Sequence, residues 1–387
     1  MDFHDTPDEA QFRAGLRAWL REELGAPQDQ HPQVGHHSID VRRDWSRKLY
    51  DAGYAGLTWS PEYGGQGKPH SYQAIFLEES GRAHAPEHVG VIGLGMAGPT
   101  IAIHGTEQQN KQHLAAILAG DTVFCQGFSE PGSGSDLASI TTRAERDGDS
   151  WVVNGQKVWS SWAHVADYCI LLTRSDPDER GHRGMTYFLL DMRTPGVTVR
   201  PLRQITGDPE FNEIFFDDVR IPAEDVLDAP GNGWAVAMTT LLNERGTLGI
   251  ALTAQLEAAL LRLVDTVHAL GRASDPVVRD RMGDFYLELE GLRYTNYRSL
   301  TALLKTGVPG PEGSVAKLQW SEINQRLSTY ALELLGDRAQ LDGDAGFWSG
   351  YWQFQQLRSR GNTIEAGTSE VLRTIIAERL VGLPRSR

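Results

Sequence analysis

Apolar positions change their spacing twice along this chain. Over residues 1 to 118 they recur at helical intervals. Phe12, Leu16, Trp19 and Leu20 follow Thr6-Pro7, a helix start, and Tyr72–Gly81 and Gln108–Leu118 repeat the pattern. Gly/Pro-bearing segments at Tyr63–Lys68 and Gly93–Pro99 are expected to break these helices. From about Asp121 the period becomes two. Thr141–Arg146, Trp151–Val153, Asp167–Thr173, Met185–Asp191, Val197–Pro201 and Asn212–Val219 read as strands, separated by turns such as Asp147-Gly148-Asp149 and Pro195-Gly196. Asn154-Gly155 reads as a further turn. From Gly233 the helical period returns and holds to Leu380, with Gly307–Gly313 and Leu341–Gly346 as loops. The order is helical, then all-β as a small antiparallel barrel or sandwich, then helical.

Composition narrows the class. The 387 residues are 40% hydrophobic and 23% charged, an ordinary globular balance with enough chain for two or three domains. A net charge of −14 argues against nucleic acid or an anionic membrane surface as the main partner. It leaves room for a phosphate-bearing ligand held by local arginines. The two cysteines, Cys125 and Cys169, both lie in strand-like segments and are expected to be buried and reduced, and no metal-ligand spacing exists. No apolar run reaches membrane-spanning length, and the first 30 residues lack a hydrophobic signal core, so a cytoplasmic enzyme is expected.

The most informative stretch is Cys125-Gln-Gly-Phe-Ser-Glu-Pro-Gly-Ser-Gly-Ser-Asp136, a strand that breaks into a loop of small residues. Proline leaves the sheet ladder and glycines let backbone amides approach a ligand closely. Trp151-Val-Val-Asn-Gly-Gln-Lys-Val-Trp-Ser-Ser161 follows, a strand ending in an indole and two hydroxyls. Together these segments resemble the flavin-binding signature of the acyl-CoA dehydrogenase family. Trp59–Gly65, His104–Gln108, Glu365–Val371 and Ala377–Arg379 are similar to its other landmarks, so the resemblance covers nearly the whole chain.

The resemblance implies an α+β chain of three parts: an N-terminal helical domain (1–119), a middle antiparallel β-barrel domain (120–230) and a C-terminal four-helix bundle (231–387). It implies FAD as cofactor. Gln126, Phe128, Ser129, Gly134 and Ser135 would line one side of the flavin and its pyrophosphate, and Trp159, Ser160 and Ser161 the other. A flanking indole, hydroxyls and backbone donors suit a ring that gains negative charge on reduction and must be shielded from water. Arg272 and Ser274 match a segment that reaches a neighbouring subunit's FAD, assisted by Glu333 and Gly336, while Thr368 and Glu370 would also contact the cofactor. Here the family's Phe-Gly pair is replaced by Asp275-Pro276, and Asp337 stands where a second glycine is usual.

The implied reaction removes the α-proton of an acyl-CoA thioester to a carboxylate while the β-hydrogen leaves as hydride. Most members place the base immediately before Gly-Thr, where this chain has Ala366. Two glutamates remain. Glu244, in Asn-Glu-Arg-Gly-Thr247, matches the position used by isovaleryl-CoA and long-chain relatives and is the assigned base. Glu365 is the alternative. The Ala366 backbone N–H would donate to the thioester carbonyl, with Ser135, Arg245 and Gly367 on the substrate side. The implied partners are an electron-transfer flavoprotein as acceptor and a second homologous chain, in a homotetramer or a heterotetramer. Rival activities on the same scaffold are a flavin oxidase or monooxygenase, a dehydrogenase of carrier-protein thioesters, and a non-catalytic partner subunit.

Overall fold

The computed structural model describes residues 4–26, 33–179, 181–246, 248–307 and 310–384, with backbone only at 244–246 and 248. These residues form two compact units. One is built from Met1–His37, Lys68–Pro86 and Arg245–Arg387, the other from Ser38–Gly67 and Glu87–Glu244.

The helical unit contains α1 (Pro7–Leu24), α3 (His70–Arg82), α7 (Leu248–Ala269), α8 (Pro276–Thr306), α9 (Glu312–Leu335), α10 (Tyr351–Asn362) and α11 (Ser369–Arg379). Helix α1 starts where the sequence places it. Thr6 caps the helix in a reciprocal pair with Glu9, and Pro7 fills the first position, where no N–H is needed. Leu16 and Leu20 are its buried stripe, and Phe12 meets the Tyr72 ring edge-on at 5.0 Å. Gly81 of α3 lies against α7 so closely that a Cβ there would come within 2.5 Å of the Ala254 side chain. The bundle core gathers Leu256, Leu263, Leu292, Ala316, Leu327 and Trp352, with the Trp352 indole donating to Thr266 Oγ1 at 2.9 Å.

The other unit combines α2 (Ile39–Asp51), α4 (Gly98–His104), α5 (Glu107–Ala119) and most of α6 (Gly233–Gly246) with a seven-stranded sheet. Thus the helices of the first 120 residues are divided between the two units. The strands are β1 (Phe124–Gly127), β2 (Arg143–Asp147), β3 (Ser150–Ser161), β4 (Tyr168–Arg174), β5 (Met185–Asp191), β6 (Val197–Leu202) and β7 (Phe211–Pro222). They run in the order β1-β4-β2-β3-β7-β6, with β5 pairing β4. The sheet is antiparallel except where β1, and one residue pair of β2, join β4 in parallel. Strands β4 and β5 are almost uniformly apolar because both their faces are covered. Ile170, Leu172, Tyr187 and Leu189 pack with Ile101, Leu114 and Val236 of the helices, whereas Cys169, Leu171, Phe188 and Leu190 pack with Val153, Ile214 and Val219 across the sheet.

Two local expectations change. Gly93–Pro99 does not break the chain: Gly93–Ala97 is a π-helical turn running straight into α4, with Pro99 in the first turn where its missing N–H is tolerated. Asn154-Gly155 is not a turn either. Both residues lie inside β3, where the register to β7 shifts between Val153 and Gly155, and Asn154 exchanges two hydrogen bonds with Asp218. Gly155 sits at φ +147° with its missing Cβ within 3 Å of Thr142, so the glycine serves a bulge.

Candidate active site

In the sheet-bearing unit the two signature segments lie side by side. Strand β1 ends at Gly127, and Val158 N–H donates to Ser129 O at 2.9 Å, tying the exit of β1 to β3. A second register shift on β3 falls between Lys157 and Ser160. The extra residue is absorbed by Trp159, which takes a left-handed φ of +60° and leaves its indole 60% exposed, edge-on to Phe211. Such a conformation costs about 1–3 kcal/mol in a non-glycine residue and persists only when its surroundings impose it. The surroundings are visible. Asn212, fully buried, donates to Ser160 O at 2.9 Å and to Glu210 O at 3.1 Å, so the carbonyl freed by the bulge is held. Ser161 and Ser129 are half-buried beside it, Gln126 is half-buried, and Phe128 packs into the core. Ser160 is buried, and its hydroxyl has no partner among the described residues.

Beyond Glu130 the loop opens. Gly134 and Ser135 are exposed, and a Cβ added at Gly132 or Gly134 would meet nothing within 4 Å. Neither glycine has a positive φ, so neither packing nor backbone conformation asks for glycine there. Glycines that the fold does not need suit a ligand that approaches the backbone. A half-exposed indole, two hydroxyls and this bare loop fit an aromatic, phosphate-bearing cofactor such as FAD.

Two residues not singled out from the sequence hold this arrangement. Lys157 is completely buried, and its ammonium donates to Phe128 O and to Glu130 Oε1, each at 2.9 Å. The Glu130 carboxylate also accepts from Thr141 N (2.7 Å), Thr141 Oγ1 (2.8 Å) and Thr142 N (2.8 Å). Burial pushes the Lys157 ammonium down to about 8, partly offset by Glu130. Burial would raise the Glu130 carboxyl, but the Lys157 charge and these donors outweigh it and hold it near 2. One signal was available: Lys157 occupies the same inward parity on β3 as Trp151 and Val153.

In the helical unit the loop before α11 is built for backbone presentation. Ala366 has φ +51° and Gly367 φ +96°, two left-handed residues in succession. Buried Lys317 fixes the loop from below, donating to Asn362 O at 2.6 Å and Gly367 O at 2.8 Å. Thr368 caps α11 by accepting from Val371 N, and Glu370 is exposed in the first helical turn. Glu365 does not stand free. Arg358 binds both its oxygens, at 3.1 and 3.0 Å, and Asn362 Nδ2 donates to it at 2.9 Å. Glu244 and Arg245 fall on the last turn of α6, and their side chains lie outside the described residues.

The departures near Arg272 have a local cause. Asp275 caps α8 by accepting from Val277 N and Val278 N, with Pro276 in the first position, and its other oxygen pairs with Arg272 at 2.6 Å. Ser274 is exposed. Gly336 has φ +57° at the end of α9, and Glu333 is exposed beside Arg281, Arg326, Tyr330 and Arg360 in a cleft of about 380 Å³. Among the described residues no group of three potential metal ligands occurs, and no helix is long and apolar enough to cross a membrane.

Comparison with known proteins identifies the scaffold. Residues 6–121, 125–219 and 231–381 match the N-terminal, middle and C-terminal domains of acyl-CoA dehydrogenases. The chain is 39% identical over 384 residues to acyl-CoA dehydrogenase IpdE1 of Mycobacterium tuberculosis (strain ATCC 25618 / H37Rv), covering 98% of both chains. Among solved structures it is similar to the Tcur3481-Tcur3483 steroid ACAD (TM-score 0.89, 30% identity, 100% of both chains). It is also similar to the ChsE4-ChsE5 complex from Mycobacterium tuberculosis (TM-score 0.86, 30% identity, 100% of both chains). The fold is theirs: helical N-terminal region, β half-barrel and helical C-terminal region. The chain belongs to the acyl-CoA dehydrogenase family and is an oxidoreductase acting on acyl-CoA thioesters, a family membership that implies FAD.

Proposed function

We propose that this enzyme carries out FAD-dependent α,β-dehydrogenation of a ring-bearing, steroid-derived acyl-CoA, with Glu244 as the base. The observation that carries the flavin reading is the β3 bulge, which spends backbone strain to present the Trp159 indole beside Ser161, Ser129 and a loop with glycines its own fold does not require. Trp159 and Ser161 flank the ring on one side, with Ser160 contributing through its backbone. Gln126, Phe128, Ser129, Gly134 and Ser135 form the other side, and Thr368 and Glu370 the remaining contacts. Bound FAD supplies the hydride acceptor.

The chain's own residues supply the rest. Ala366 is left-handed and precedes Gly367, whose carbonyl Lys317 holds; its backbone N–H would donate to the thioester oxygen and so favour loss of the α-proton. Gly367 would let the thioester pass close to the backbone, and Ser135 and Arg245 contact the CoA portion. Glu365 is already engaged by Arg358 and Asn362, which supports Glu244 as the group that takes the proton. The steroid assignment rests on the names carried by similar structures. Electrons leave to an electron-transfer flavoprotein.

One observation favours a further reading, that the active assembly is mixed. Arg272 is held by Asp275 of its own chain, in a segment that departs from the family's pattern at Asp275-Pro276. The ChsE4-ChsE5 structure is a complex of two named chains. We accordingly propose that Arg272, Ser274, Glu333 and Gly336 complete a site on a homologous partner chain. The test is anaerobic reduction of the flavin by straight-chain, branched and steroid-ring acyl-CoAs, with the chain alone and with candidate partner chains. Bleaching by the ring-bearing thioester without oxygen consumption on re-aeration is expected. Bleaching by straight chains alone refutes the substrate class, and rapid peroxide formation favours the oxidase.

A further inference from the structure

Lysine is a costly choice for a fully buried position, because an apolar residue of similar length fills the space without desolvating a charge. Lys157 is 0% exposed, and Glu130 opposite it is 6% exposed. The pair therefore invites the question of what its hydrogen bonds hold. Three segments converge on it. The first is the exit of β1: the ammonium takes Phe128 O at 2.9 Å, and Glu130 closes the small loop through its backbone, which exchanges hydrogen bonds with Ser133 at 2.8 and 3.0 Å. The second is Thr141-Thr142, just before β2, bound by the carboxylate through two amides and a hydroxyl. The third is β3 itself, through the Lys157 stem, the Val158-to-Ser129 backbone bond and Thr142 Oγ1 donating to Gln156 O at 3.2 Å. Ser129 is thus pinned from both neighbours, and the residue two places beyond Lys157 is the strained, exposed Trp159.

We propose that Lys157 and Glu130 are a positioning pair that locks Phe128–Glu130 and the Trp159–Ser161 bulge against each other and thereby sets how tightly the flavin is held. The inference deepens the flavin reading above and rests on it for the last clause. Neither residue touches the cofactor; both act through Ser129 and Trp159. A pair that only stabilised the sheet would leave the two segments equally ordered when replaced by neutral groups. A positioning pair would not, because the left-handed Trp159 has a relaxed alternative once Phe128 O and Glu130 are released.

Two measurements decide. In the wild-type protein without FAD, native-state amide exchange should protect the Val158 amide as strongly as the Leu171 amide of the sheet core. Protection of Val158 weaker by 100-fold or more would show that the pair locks nothing. The second uses Lys157→Met/Glu130→Gln, which removes both charges together and leaves no lone buried ion. With its circular dichroism intact, this variant should exchange the 158–161 amides at least tenfold faster. It should bind FAD at least tenfold more weakly and show an altered visible flavin band. A folded double variant with exchange, affinity and spectrum within twofold of wild type overturns the proposal. If the double variant does not fold, the wild-type exchange result alone upholds or overturns the lock. Wild-type protein that takes up no FAD contradicts the flavin reading instead, and the exchange arms still report on the lock.

Discussion

Replacing Glu365 by glutamine separates the two candidate bases on structural grounds. The Glu365 carboxylate accepts two guanidinium N–H bonds from Arg358 and one amide bond from Asn362, with the ion-paired side chains 21% and 29% exposed. Glutamine keeps one acceptor oxygen and loses the charge. Hydrogen bonds to charged groups contribute about 1.5–3 kcal/mol when buried, and partial exposure reduces that, so the variant should lose about 1–2 kcal/mol. That is a fall of a few degrees in melting temperature. A positioned general base is worth about 10²–10⁴ in rate, whereas a residue that only braces a loop should cost less than about tenfold here. The assay is single-turnover bleaching of the flavin by acyl-CoA under anaerobic conditions, with thermal unfolding measured on the same protein. Glu365→Gln should melt lower yet still bleach. Bleaching slowed more than 100-fold with an unchanged melting temperature would mean that Arg358 positions a catalytic carboxylate, and the assignment of Glu244 would fall.

Two further outcomes follow from buried groups. His88 and His113 are both held neutral by burial, each down to about 4, and His88 Nδ1 accepts from Gly90 N at 3.0 Å, a bond that protonation would break. Because their folded values lie below the unfolded one, the unfolded chain binds more protons between pH 6.5 and 4. Stability is therefore present above about 6.5 and lost as pH falls through 4, by up to about 3 kcal/mol for each imidazole. Urea midpoints measured from pH 7 to 4.5 should decline steeply, and equal midpoints at the two ends would contradict the burial argument. Trp352, wholly buried in the bundle core, should cost about 3–5 kcal/mol on Trp352→Ala. A thermal melt of that variant indistinguishable from wild type would mean the bundle core is not packed as described.

The sequence and the structure part company where tertiary contacts decide. The helix start at Thr6-Pro7 was legible because capping is local: Thr6, Pro7 and Glu9 settle it within four residues. Strands β3 and β7 alternate with a period of two while β4 and β5 are apolar throughout, but Asn154-Gly155 satisfies turn chemistry and bulge chemistry equally, and only pairing with β7 distinguishes them. Gly93–Pro99 has the composition of a break yet runs on as a π turn, and its Gly93 and Gly98 answer to packing, since they lie too close to Ile117 and Trp59 for any side chain. The two signature segments are legible as motifs, yet the Lys157–Glu130 pair is not, since its partners are 27 residues apart and meet only through the β1–β3 contact. Asp275-Pro276 reads from sequence as a lost cofactor contact, and the fold shows what it gained, a capped α8. Glu365 likewise looked available until Arg358, seven residues earlier on α10, was placed against it.

The most direct test is the reductive half-reaction of the FAD-loaded protein, wild type beside Glu244→Gln, mixed anaerobically with a steroid-ring acyl-CoA. The wild type should lose its visible flavin band within a turnover and yield the α,β-unsaturated thioester. The Glu244→Gln protein should retain FAD and bind the thioester, yet bleach slower by about 10² to 10⁴. Equal bleaching by both proteins would contradict the assigned base, and a wild-type flavin left unbleached by every acyl-CoA would contradict the proposed reaction.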